Sequence, residues 1–269
     1  MRCFVKLSYV GTAYHGWQRQ PESISVQQVV EERLGLLLGA GGPVTVVGCG
    51  RTDTGVHASE FFAHFDVPQG LELEKFSDWD EAAWKLNGML PSDIGVSRIW
   101  QVNDSAHARF DARERTYTYW VHLRKDPFLE GRSTRVYHNL DLGKMNIAAA
   151  HLVALGDGSG VGPGGNSGDF AAFAKTGGGQ KTTLCNVRTA QWTAFDGSRL
   201  RFDISADRFL RNMVRAVVGT LLEVGSGRMA VDEMPDLIAS KDRCRAGTSA
   251  QACGLYLSRV DYPETAHEL

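Results

Sequence analysis

At 269 residues the chain has volume for one large domain or two small ones. Hydrophobic residues make up 43% and charged residues 22%, which excludes wholesale disorder, and no apolar run approaches bilayer length. The formal net charge of −2 gives no general affinity for polyanions, and five cysteines without a C-x-x-C pair argue against a disulfide framework or a zinc knuckle. With no apolar leader at the N-terminus, the expectation is a cytoplasmic protein without membrane partners.

FVKLSYV near the start alternates as a strand and runs into the polar loop GTAYHGWQRQPESI. Ser25 and Gln28 then form a capping-box pattern, and Val26, Val29, Val30, Leu34 and Leu37 recur at helical spacing until Gly39, Gly41, Gly42 and Pro43. Val44 to Val47 read as a buried strand, GCGRTDTGVHA as a turn, and Phe61, Ala63, Phe65 and Val67 as the next strand. A helix from Asp80 to Leu90 and a strand from Ile94 to Trp100 complete a first unit of interspersed strands and helices.

Arg115 to Leu123 opens a second unit, with Tyr117, Tyr119, Val121 and Leu123 on one face of a strand. After a helix from Met145 to Leu155 comes GDGSGVGPGGNSG at 156–168, seven glycines in 13 residues and too Gly-rich to pack. Its Gly160, Gly162 and Gly165 spell G-x-G-x-x-G, but no strand leads into them, and GGGQKT has Gln180 where a Walker loop needs glycine, so no nucleotide cofactor is expected. Strands from Val187 to Thr193 and Leu200 to Ala206 precede a helix predicted over Phe209 to Val224, with Arg208, Arg211 and Arg215 along one side. A short helix near Leu237 and a strand from Gly254 to Val260 end the chain.

Charge is segregated along the sequence. Residues 66–93 hold seven acids against Lys75 and Lys85, whereas 98–135 hold eight bases against five acids and 198–228 hold six arginines against three acids. The two basic runs are compatible with a shared phosphate-facing surface and equally with two solvated faces.

Gly50-Arg51-Thr52-Asp53-Thr54-Gly55-Val56-His57-Ala58 is the segment most suited to chemistry, because glycines and threonines around one carboxylate can hold it in a fixed orientation. The neighbouring Arg51 favours the charged form, which suits a nucleophile; the alternative is an Asx turn joining two strands. Tyr117 reads as a base-stacking platform or as a core aromatic, and Arg215 as a carboxylate's partner or as a surface cation. His57 and His64 have no partner at a metal-ligand spacing, so no metal is expected.

The chain resembles the tRNA pseudouridine synthase A family. GRTDTGVHA is similar to the family's GRTDxGVHA, and the likeness continues through YVGTAYHGWQRQP, SVQ, LNGMLPSDI, HARFDA with RTYTYW, FLRNMVRAVVGTLLEVGSG, GLYL and VDYP. The resemblance implies an isomerase that converts uridine to pseudouridine at positions 38, 39 and 40 of the tRNA anticodon stem-loop, without a cofactor and as a homodimer. It implies Asp53 as the catalytic aspartate, Tyr117 as the stack for the target uracil and Arg215 as the aspartate's partner. Leu255 would pack in the pocket, and Arg51 would fill the space left by a flipped nucleotide. Arg208 and Arg211 would bind the RNA. Arg211-Asn212 and Ala252-Cys253 depart from the family pattern without touching these catalytic positions.

The expected fold is α/β, with two mixed-sheet domains at 1–105 and 106–269, RNA-recognition-like cores and a catalytic cleft between them. An RNA-binding module without chemistry and an aspartate-dependent N-glycosidase are the competing classes.

Overall fold

A computed structural model describes residues 1–68, 76–155, 167–175, 177 and 181–263. Most of the Gly-rich run at 156–168, including Gly160, Gly162 and Gly165, lies outside the described residues. In chain order the first elements are β1 (Arg2–Tyr9), α1 (Val26–Leu38), β2 (Val46–Gly48), β3 (His57–Asp66), α2 (Trp79–Met89) and β4 (Ile94–Val102). Then follow β5 (Glu114–His122), β6 (Thr134–Arg135), α3 (Leu142–Ala154), β7 (Gly168–Asp169), β8 (Leu184–Cys185), β9 (Val187–Ala194), β10 (Arg199–Ala206), α4 (Met213–Gly225), α5 (Glu233–Ser240) and β11 (Leu255–Asp261). The fold is mixed α/β, as the interleaving of strand and helix patterns predicts. No described helix is long and apolar enough to cross a membrane.

The chain forms two compact units, Met1–Arg113 with Leu257–Leu269, and Glu114–Tyr256. In the first, β1 lies antiparallel to both β3 and β4, and β2 pairs with β3. Ser25 caps α1 by accepting the Gln28 amide, and the helix stops at Gly39, as its sequence predicts. Its stripe of Val26, Val30, Leu34 and Leu38 is buried. In the core Trp17 stacks on Phe61 with centroids 4.1 Å apart, and such pairs contribute about 1 kcal/mol beyond their buried area.

The second unit is built on β5, β10 and β9, all antiparallel, with the short β6 parallel to β5. Helix α3 packs along β9 and against α4. Tyr119, Phe202 and Trp192 fill its core together with Val217 and Leu221 of α4.

One predicted boundary is corrected. The helix expected from Phe209 begins at Met213, because Asn212 takes a left-handed conformation with φ of 63°. Asn212 Nδ2 donates to Ser249 Oγ at 2.6 Å, and Lys175 N donates to the Arg211 carbonyl at 3.1 Å, so distant partners hold this stretch out of the helix. Arg208 and Arg211 therefore precede α4 and do not share a helical face with Arg215.

Candidate active site

Asp53 lies in the turn joining β2 to β3, half-buried, with Thr52 buried on one side and Thr54 exposed on the other. The Asp53 carbonyl accepts the Val56 amide at 3.1 Å, and Gly55 supplies the left-handed step at φ 76°. Thr52 Oγ1 lies 2.9 Å from the buried Tyr9 hydroxyl. Arg51 is exposed and makes no ion pair with Asp53 among the described residues. The backbone of the turn and the Thr52 side chain are thus held by these contacts, and Arg51 is not an ion-pair partner of Asp53.

The turn does not hold itself. The loop after β1 lies directly on it: Trp17 N donates to the Thr52 carbonyl, Gly55 N donates to the Tyr14 carbonyl, and Gly11 N donates to Nδ1 of the fully buried His57 at 2.9 Å. A Cβ on Gly11 would lie 1.9 Å from the Val56 carbonyl oxygen, and one on Gly16 2.2 Å from that of Thr52. Only glycine lets the two backbones approach this closely, and Gly16 also has φ of 81°.

Behind that loop stands a buried polar pair on α1. Gln27 Oε1 accepts from Gln18 Nε2 at 2.8 Å and from the Arg19 amide at 2.9 Å, while its Nε2 donates to Glu31 Oε1 and to the Val46 carbonyl, both at 2.9 Å. Glu31 in turn accepts the Val46 amide at 3.1 Å and pairs with Arg19. One network therefore ties the loop, the helix and the strand that leads into the Asp53 turn. The sequence reading missed Gln27 and Glu31 as positioning residues. Their signal was present as two polar groups at i and i+4 among the buried valines and leucines of one helix.

The second unit holds the other expected residues. Tyr117 is half-buried on β5, opposite Ile204 of β10, with its ring edge-on to Phe209 at a centroid distance of 5.1 Å. The core aromatic on that face is Tyr119, fully buried, whose hydroxyl lies 2.5 Å from Thr134 Oγ1 and donates to the Gln251 carbonyl at 2.8 Å. Leu255 opens β11 and is buried.

Arg215, in the first turn of α4, is held by a reciprocal bond. Its Nε donates to the Ala250 carbonyl at 2.7 Å, and Ala250 N donates to the Arg215 carbonyl at 2.9 Å. The segment carrying Ala250 is itself clamped: Arg243 donates to the carbonyls of Ala246 and Gly247 and to Ser249 Oγ, and Gly247 N donates to Thr220 Oγ1. This leaves the half-buried guanidinium a fixed cation rather than a wandering surface side chain. Arg208 is half-buried and Arg211 exposed. The Ala250 carbonyl carries no readable signal in the sequence, because any residue supplies one.

Each unit thus presents groups with a chemistry of their own. The first presents a carboxylate in a fixed turn, suited to nucleophilic attack; the second presents a half-buried ring, an anchored cation and an apolar side chain, suited to holding an extruded base. Comparison with known proteins bears on what that chemistry is. A family model described as tRNA pseudouridine synthase matches residues 167–263. The chain is 45% identical over 267 residues to the tRNA pseudouridine synthase A of Bacteroides fragilis, covering 99% of this chain and 98% of that protein. It is 45% identical over 263 residues to that of Porphyromonas gingivalis, covering 97% of each. With that of Acetivibrio thermocellus it shares 36% identity over 258 residues, 95% of this chain and 97% of the relative.

Proposed function

The chain belongs to the tRNA pseudouridine synthase A family, and on that premise we propose that it isomerises uridine to pseudouridine at positions 38, 39 and 40 of tRNA anticodon stem-loops, with Asp53 as nucleophile. The observation that carries this reading is the Asp53 turn, where a half-buried carboxylate is held between glycines by a second loop laid against its backbone. A turn braced this closely fixes the backbone from which the Asp53 side chain projects, and so favours one direction of attack.

The target uridine leaves its stack, and its base is received by the ring of Tyr117 with Leu255 against it. Arg215 serves as the cationic partner of Asp53, as the family resemblance implies. Attack by Asp53 allows the N1–C1′ bond to break. The freed uracil rotates, C5 bonds to C1′, the bond from Asp53 to the substrate breaks and returns the carboxylate, the C5 proton leaves and N1 takes up a proton. The product is an isomer of the substrate, so the reaction needs no oxidant, reductant or cofactor. Arg51 occupies the space left by the extruded nucleotide, and Arg208 and Arg211 contact the phosphates. The protein works as a homodimer in the cytoplasm.

Tritium release from 5-tritiated uridine in an unmodified tRNA transcript tests the reading. The native protein should release tritium while the uracil stays in the RNA, and Asp53→Ala and Asp53→Asn should release none. Free uracil in solution would instead identify an N-glycosidase. Equal tRNA binding by all three proteins without any release would identify a binding module.

A further inference from the structure

The turn after β4 carries a group that the proposed chemistry leaves unused. Phe110 is 75% exposed at the apex of residues 106–111, yet the backbone beneath it is held at nearly every polar atom. His107 N donates to Asp111 Oδ2 at 2.7 Å and Asp111 N returns to the His107 carbonyl at 3.1 Å. The amides of Arg109 and Phe110 both donate to His107 Nδ1, at 3.1 and 3.3 Å, and that of Ala108 donates to His64 Nδ1 at 3.1 Å. From outside the turn, Arg2 Nη1 donates to the Ala106 carbonyl at 2.9 Å and the Tyr262 hydroxyl to that of Ala108.

Both imidazoles serve as acceptors at Nδ1, so each carries its proton on Nε2 and is neutral. Burial favours that state, pushing His64 down to about 4 and His107 below its ordinary value. The ring of Phe110 lies on the imidazole of His107 with centroids 4.2 Å apart and planes at 30°, and the Arg109 guanidinium sits 5.8 Å from its centroid. A single exposed phenylalanine is ordinary. A flat aromatic ring fixed in solvent by this many bonds, with a cation over it, is a pre-organised one.

We propose that Phe110 is a stacking platform for an unpaired nucleobase of the tRNA other than the target uridine, with Arg109 against the adjoining phosphate. The inference rests on the tRNA reading above and assigns the turn to substrate positioning, not to the bond-breaking step. A base fits better than a protein partner because the platform is one ring with a guanidinium beside it, which matches a base and its phosphate, whereas a stable protein interface needs about 800 Å² on each side.

The test compares native protein, Phe110→Ala, Phe110→Leu, Phe110→Trp and Arg109→Gln in tRNA affinity, in KM and kcat for tritium release, and in sedimentation. Melting curves should coincide for the Phe110 variants, since the ring is exposed. Phe110→Ala should weaken tRNA binding about 5- to 100-fold and raise KM alike with kcat unchanged, Trp should restore both, and Leu should not. Arg109→Gln should reduce the salt slope of binding by about one, which the Phe110 variants leave alone. Native-like binding by Phe110→Ala, full rescue by Leu, or a loss that merely follows a change in oligomeric state would each overturn the platform. A native protein that neither binds nor isomerises tRNA would remove the reading beneath it as well.

Discussion

The Asp53 turn and the run from Arg208 to Arg215 both carry residues expected to act, and they reach their positions by different means. The turn is set by residues close in sequence, Gly50 to Ala58, and is then locked by a loop forty residues away whose close approach depends on Gly11 and Gly16. The arginine run is set from outside. Asn212 on Ser249, Lys175 on the Arg211 carbonyl and Arg215 on Ala250 decide where the helix starts and where its first cation points. Local chemistry announces the first region in the sequence, and long-range bonds shape the second silently.

The largest expected effects come from filling the glycine contacts. Gly16→Ala puts a Cβ 2.2 Å from the Thr52 carbonyl oxygen at a left-handed φ, and should cost about 3 kcal/mol in urea unfolding while displacing Asp53. Gly219→Ala, whose Cβ would meet the Thr248 carbonyl oxygen at 1.8 Å, should cost a similar amount by parting α4 from the segment that anchors Arg215. If unfolding of the Gly16 variant matched the native protein, the locking of the turn by its neighbouring loop would be disproved.

Gln27→Leu should come next, at about 2 kcal/mol, because it strands the Arg19 amide, the Val46 carbonyl and Glu31 without their partner. Asn212 separates bond from backbone in the other region: Asn212→Ala should cost about 2 kcal/mol, and Asn212→Gly, which keeps the left-handed step, about 1 kcal/mol. Equal losses would mean that the backbone conformation contributes nothing there.

A smaller effect should appear with acid. His64 gains a proton near its ordinary pKa in the unfolded chain but only near 4 when folded, so stability is intact above about pH 6.5 and falls as the pH drops towards 4. The loss should be on the order of 1 kcal/mol by pH 6 in urea titrations, and His64→Gln should flatten it.

These contrasts also explain what could be read in advance. The capping of α1 by Ser25, the placing of the GRTDTGVHA turn between two strands and the strand of Tyr117 follow from neighbours in sequence, where spacing carries the information. The late start of α4 did not, because the apolar stripe runs through Leu210 and gives no sign that Asn212 is bonded to Ser249. Tyr117 shows the same limit at one residue. Alternation puts it on the face of Tyr119, but only packing distinguishes the half-buried ring from the core one. Gln27 and Glu31 were visible as polar groups on an apolar stripe, yet their partners at Gln18, Arg19 and Val46 are matters of tertiary contact.

The proposed function makes Asp53 the group that drives isomerisation within the anticodon stem-loop. The most direct measurement is base-resolution mapping of pseudouridine in unmodified tRNA transcripts after incubation with native protein or with Asp53→Asn, each first shown to bind tRNA. Pseudouridine is expected at positions 38, 39 and 40 with the native protein and at none of them with the variant. Modification by the variant at the native rate, or native modification confined to other positions, would contradict it.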